Sequence, residues 1–204
     1  MDRANTAKTL ATAAACLAVV VPLIGGVIVP GHSHVVNFIS ELGAAGTQWG
    51  AVVSWAGFLP IGVLTLGFLI VAAPLLRLQG AAKVGYWLLS FIGIAYVGSA
   101  FAPCDLGCPV SGSPTQLAHN LMGLMEYLGG GIGLLVFSTS YFKDSNHDML
   151  QSVLFFAGVI VLAALTGITM QTLSAWHGLI QWVGEVGLFG SVVLIAWRII
   201  PTPG

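Results

Sequence analysis

The sequence predicts an all-α membrane protein, built as a bundle of six transmembrane helices. Of its 204 residues, 57% are hydrophobic and only 6% are charged, whereas a soluble domain has about a quarter of its residues charged. The mean hydropathy is +0.96. This composition excludes a soluble enzyme and a disordered chain. Six Lys and Arg residues are also too few for a surface that binds nucleic acid.

Six predicted spans follow one another with short connections. A helix needs about 20 mainly apolar residues to cross about 30 Å of hydrocarbon. The stretches that meet this requirement are residues 9–29, 49–76, 84–103, 117–140, 150–170 and 178–200. They are too long and too uniformly apolar for the strands of a β-barrel. We therefore expect residues 1–204 to form a single transmembrane domain.

The basic residues indicate how the spans are oriented. All six fall on one side of the predicted bundle: Arg3, Lys8, Arg77, Lys83, Lys143 and Arg198. The positive-inside rule places that side, with the N- and C-termini, in the cytoplasm. We expect a multi-pass protein of the cytoplasmic membrane. The first apolar run is longer than a signal-peptide core and no cleavage motif follows it, so we expect an uncleaved span.

Acidic residues and histidines gather on the opposite, outer side. Four of the seven acids and four of the five histidines are predicted there, namely Glu41, Asp105, Glu126, Glu185, His32, His34, His119 and His177. No lysine or arginine is predicted on that side to neutralise them. A carboxyl group near the bilayer centre costs about 2.5–3.5 kcal/mol on insertion scales, so it is usually partnered, protonated or turned toward a cavity.

Spans four and six each place a histidine and a deeper glutamate on one helical face. His119 precedes Glu126 by seven residues, and His177 precedes Glu185 by eight, so each pair shares a face. We expect the two faces to line one pocket open to the outside, with Gln181 beside them. A plainer alternative is that buried Glu–His or Glu–Gln hydrogen bonds only hold helices together.

The two longer outer loops hold further candidates. His32 and His34 suit a metal site if the chain is extended there, and a solvated loop is the alternative. Cys104 and Cys108 lie outside, where disulfides persist, so we expect them to pair. That bridge would fix Asp105 at the mouth of the bundle.

Several short sequence motifs resemble those of a known membrane family. They are Ser-Glu-Leu-Gly at residues 40–43, an Asp just after span three, a His that opens span four, and Gly-Leu-Ile-Gln at residues 178–181. With the six-span layout they resemble a prokaryotic membrane family catalogued as a domain of unknown function, family 998. The resemblance covers nearly the whole chain and implies this fold and a prokaryotic inner membrane, but no activity. It places five residues at the family's typical polar positions: Ser40, Glu41, Asp105, His119 and Gln181.

Three kinds of function stay open. The first is a binding or transport-accessory protein whose outward pocket takes a small or lipidic ligand. The second is a membrane-embedded, metal-dependent hydrolase, with zinc held by His119, His177 and Asp105 and with Glu126 or Glu41 as the base. The third is a structural or assembly subunit of a membrane complex. Haem between His119 and His177 is the other cofactor considered. Motifs for nucleotide hydrolysis and for α/β-hydrolase chemistry do not occur.

Overall fold

The computed structural model describes residues 2–142 and 148–201, so Lys143 lies outside the described part. Six described helices are long and apolar enough to cross a membrane. They are α1 (Arg3–Ile28), α2 (Gly50–Leu75), α3 (Gly80–Phe101), α4 (Pro114–Tyr141), α5 (Asp148–Thr169) and α6 (Gln171–Ile199). The prediction of an all-α, six-span, multi-pass membrane protein is therefore confirmed.

Some helices are longer than the spans predicted for them. The helix α1 begins at Arg3 because Asp2 caps it: its Oδ1 accepts a 2.8 Å hydrogen bond from the Asn5 amide. The helix α4 begins at Pro114, after the N-cap Ser113, whose Oγ accepts from the Gln116 amide at 3.2 Å. Hydropathy marks only the part of a helix that meets hydrocarbon, whereas capping residues mark where the helix itself begins.

The six helices form a ring in sequence order. Each helix packs against the next, and α6 packs against α1. Glycines occupy three of the helix crossings: Gly62 with Gly93, Gly85 with Gly133, and Gly131 with Gly158. A Cβ atom on Gly62 would lie only 2.6 Å from the carbonyl oxygen of Gly93. Small residues therefore let the backbones approach closely, as is common between membrane helices.

Two connecting segments and the start of α6 meet at one end of the ring, which we call the loop end. The first loop is residues 29–49, and the second loop is residues 102–113. The Ala45 amide donates to the Cys104 carbonyl at 2.8 Å. A short 3-10 helix, Ile39–Gly43, lies in the first loop. Its Ile39 amide donates to Oε1 of Gln181 at 2.7 Å. This hydrogen bond fastens the first loop to α6.

Candidate functional site

A cavity of about 670 Å³ extends into the bundle from the loop end. Its wall includes the loop residue Val110, which is 86% exposed, and reaches the buried Glu126 and Glu185. The helices α2 to α6 and the first loop all contribute to it. Its volume lies within the range of about 300–1,000 Å³ that is typical of small-molecule sites.

Glu185 is held by two tyrosines. The side chain is 3% exposed. The Tyr96 hydroxyl on α3 donates to Oε2 at 2.9 Å, and the Tyr127 hydroxyl on α4 donates to Oε1 at 3.0 Å. Gly184 makes room for this arrangement, since a Cβ there would lie 2.5 Å from the Tyr127 ring. Both carboxyl oxygens thus have partners, which offsets much of the cost of burying the group.

Glu126 lines the same cavity, and one of its carboxyl oxygens has no hydrogen bond. The side chain is 8% exposed, and its Oε1 atom is buried without a hydrogen bond. Within the described residues, the cavity wall contains no Lys or Arg. An unsatisfied buried polar group costs about 1–3 kcal/mol, and more if it is charged. A bound hydrogen-bond donor or cation would remove that cost.

His119 also lies in the cavity wall, one helical turn beyond the start of α4. Its Nδ1 atom is 3.0 Å from the Ala102 carbonyl oxygen. A carbonyl only accepts, so Nδ1 carries a proton, and when the ring is neutral its lone pair lies on Nε2. The Cys104 and Cys108 sulfurs are close to the ring and are bonded to each other.

Three other predicted residues line the cavity near its mouth. His177 stacks on Phe38 with ring centroids 4.9 Å apart, and its Nε2 bonds to the Met170 carbonyl at 3.2 Å. Gln181 is tied to the first loop. Ser40 places its Oγ 3.5 Å from Sγ of Cys108. The histidines on α4 and α6 therefore bond to backbone carbonyls.

Glu41 and Asp105 are not among the described residues of the cavity wall. Glu41 accepts hydrogen bonds from the Phe38 amide at 2.8 Å and from Asn37 at 3.0 Å, so it caps its own turn. Asp105 accepts from the Ser113 hydroxyl at 2.7 Å and from the Ser113 amide at 2.8 Å. These hydrogen bonds hold the pKa of Asp105 below its usual value. Both acids therefore stabilise the loops in which they lie.

His32 and His34 are half-buried, which differs from a fully solvated loop. Their rings meet edge to face at 5.2 Å, and His34 contacts Trp182 of α6 at 5.7 Å. The Nε2 atom of His32 and the Nδ1 atom of His34 are buried without hydrogen bonds. Burial lowers the pKa of His32, and the neighbouring His34 lowers it further.

One model of a known family matches residues 12–198 of the chain, and that family is described as a protein of unknown function, DUF998. The chain belongs to this family. No curated protein and no solved structure matches the chain. The DUF998 assignment confirms the resemblance carried by the short motifs and gives no activity.

The proposed zinc ligands of this DUF998 chain are not gathered in one place. Among the described residues, the group whose ligand atoms could share a metal ion is Cys104, Cys108 and His119. His177 and Asp105 do not belong to it.

Two residues of the site, Tyr96 and Tyr127, did not emerge from the sequence. The one signal for Tyr127 is its place directly after Glu126.

Proposed function

We propose that this protein binds an amphipathic ligand in the cavity, with a cationic nitrogen as its headgroup. The observation that carries the proposal is the unpartnered Oε1 of Glu126, which is buried in a cavity wall that also holds Glu185. The role is that of a binding or transport-accessory protein.

The headgroup chemistry follows from what lies around Glu126. Two carboxyl groups share the wall, without a described Lys or Arg beside them, so a cation is favoured there over an anion. The aromatic rings of Phe58, Tyr96 and Tyr127 also line the cavity. Carboxylates combined with aromatic rings are typical of sites that recognise ammonium groups, because ring faces attract cations.

In this proposal an apolar tail lies along the part of the wall that α4 and α5 form. These helices approach closely at Gly131 and Gly158. About two turns closer to the loop end, Leu165 and Ile168 of α5 line the cavity. Leu124 of α4 also lines it and is 43% exposed on the bundle surface. A chain lying there reaches the lipid, which favours a lipidic ligand over a fully soluble one.

In this proposal the loop end faces away from the cytoplasm. The described basic residues lie toward the other end: Arg3, Lys8, Arg77, Lys83 and Arg198. The positive-inside rule then places both chain ends in the cytoplasm. The cavity takes its ligand from the outer side of a cytoplasmic membrane.

Native mass spectrometry tests the proposal with three probes of equal chain length: dodecylamine, dodecanol and dodecanoate. We expect the purified protein to retain one dodecylamine in preference to the other two.

Glu126→Gln should weaken this binding about tenfold or more, equal to about 1.4 kcal/mol. Asp2→Asn is the control, since Asp2 caps α1 at the opposite end of the bundle and asparagine caps a helix equally well, and it should bind as the wild type does. Equal retention of all three probes, or equal binding by Glu126→Gln, would contradict the proposal.

A further inference from the structure

We propose that Cys104, Cys108 and His119 form a zinc site when the disulfide between the two cysteines is reduced. One ligand atom from each residue lies within 4.8 Å of the other two. This set differs from the His/Asp set expected from the sequence. The inference stands independently of the amphipathic ligand.

The spacing of the ligand atoms suits a tetrahedral ion. Zinc binds sulfur at about 2.3 Å and nitrogen at about 2.0–2.1 Å, so its tetrahedral ligands lie about 3.5 Å from one another. Atoms that already lie within 4.8 Å need shifts of about 1 Å to reach this geometry once the sulfurs separate. Side-chain rotation supplies such shifts without moving the helices.

His119 has one ring nitrogen free to bind an ion. Its Nδ1 bonds to the Ala102 carbonyl at 3.0 Å, which leaves the Nε2 lone pair for the ion. Zinc-bound histidines commonly donate their second ring N–H to a carbonyl or carboxylate, because that bond fixes the tautomer and the ring plane. The ring is 8% exposed on a long helix, so it is held firmly.

The turn that carries the cysteines does not depend on the disulfide alone. The Cys108 amide donates to the Asp105 carbonyl at 2.9 Å. Asp105 is in turn held by Ser113 at the start of α4. These contacts keep the two thiols close to each other after reduction.

The site leaves one coordination position open to the cavity. Three protein ligands with a free fourth position are typical of zinc sites that bind a further molecule. Cys108 and His119 line the cavity, as does Ser40 beside Cys108. Two thiolates also neutralise the charge of Zn²⁺, which suits a wall without a described Lys or Arg.

The reduction step needs a dithiol as the reductant. One thiolate of the dithiol attacks a sulfur of the disulfide, the S–S bond breaks, and a mixed disulfide forms. The second thiol of the reductant then displaces the cysteine, so the reductant leaves as a disulfide and has supplied two electrons and two protons. Zinc binding releases those two protons, because the ligands are thiolates.

Cobalt titration of the detergent-purified protein tests this site. We expect the reduced wild type to bind about one Co²⁺ per chain with a thiolate-to-cobalt charge-transfer band, and Zn²⁺ to displace it. The oxidised wild type should show no such band. This control is the same chain without any substitution, so it carries no risk of misfolding. An absent band after reduction, or an equal band before and after it, would overturn the proposal.

Variants then test the ligand set. His119→Gln and Cys108→Ser should each lose the cobalt band in the reduced protein. Cys16→Ser is the matched control, because Cys16 is an exposed free cysteine on α1, and it should keep the band. Thermal unfolding of each oxidised variant that still contains both site cysteines checks that the fold is intact. A His119→Gln protein that folds and keeps the full band would overturn the assignment.

Discussion

The Tyr96 hydroxyl on α3 donates a 2.9 Å hydrogen bond to Oε2 of Glu185 on α6. These two helices are not sequence neighbours in the ring, so the bond joins its two sides. Tyr127 of α4 donates to the other oxygen of the same carboxyl at 3.0 Å. Three helices therefore converge on one acid at the floor of the cavity.

Removing either tyrosine hydroxyl should destabilise the bundle. Tyr96→Phe and Tyr127→Phe each remove one donor to Glu185 and keep the ring, so we expect each to lower the free energy of unfolding by about 1 kcal/mol. Denaturant titration in mixed micelles measures the loss. In a Glu185→Leu background, neither substitution should cost as much, because the shared acceptor is gone. A full cost in that background would mean that the hydroxyls act elsewhere.

Filling the cavity from Gly123 should block binding. A Cβ built on Gly123 has no atom within 4 Å, and the residue lines the cavity, so Gly123→Leu enters empty space. We expect it to lower dodecylamine binding about tenfold or more, with a change in stability below about 1 kcal/mol. Gly190→Leu is the control, since Gly190 also has nothing within 4 Å and lies outside the wall. Unchanged binding by Gly123→Leu would place the ligand elsewhere.

The α2–α3 crossing should not tolerate a methyl group. Because a Cβ on Gly62 would lie 2.6 Å from the Gly93 carbonyl oxygen, Gly62→Ala forces the backbones apart. We expect a loss of about 1–3 kcal/mol in the free energy of unfolding. Gly190→Ala provides the baseline for a Gly-to-Ala change in a helix. Equal stabilities of the two variants would argue against this close approach.

His32 should make the protein less stable in mild acid. Its pKa is lowered by burial and by His34, so the unfolded chain takes up a proton at a higher pH than the folded chain does. Stability is therefore full above the ordinary histidine pKa of about 6.5 and declines as the pH falls toward the folded value. His32→Gln should flatten this decline between about pH 7 and about pH 5. An unchanged slope would show that another group causes it.

Hydropathy predicted the six spans because crossing a bilayer requires long apolar runs. Helical periodicity placed Glu126 and Glu185 on faces with His119 and His177, and the structure brings all four into one cavity wall. The partners of the carboxyl groups did not follow from periodicity. The Tyr96 ring resembles any apolar residue of a span, and only the packing of α3 against α4 and α6 shows where its hydroxyl points.

Loop chemistry was harder to predict than helix chemistry. Glu41 and Asp105 carry charge at the loop end, as the acids of a binding site would, yet both hydrogen-bond to their own loops. Short-range capping bonds of this kind leave no periodic signal. The grouping of His119 with the two cysteines likewise depends on how the second loop turns back toward α4.

Chemical labelling of the cavity wall tests the central claim most directly. In a Cys16→Ser background, Ser99→Cys places a thiol in the cavity wall and keeps Glu126, and Ala95→Cys places one on the same helix, buried and outside the wall. A membrane-impermeant maleimide is added to intact cells from outside. We predict that position 99 is labelled, that dodecylamine slows the labelling, and that position 95 stays unlabelled. No labelling at position 99, or labelling that dodecylamine leaves unchanged, would contradict an outward cavity that binds an amphipathic amine.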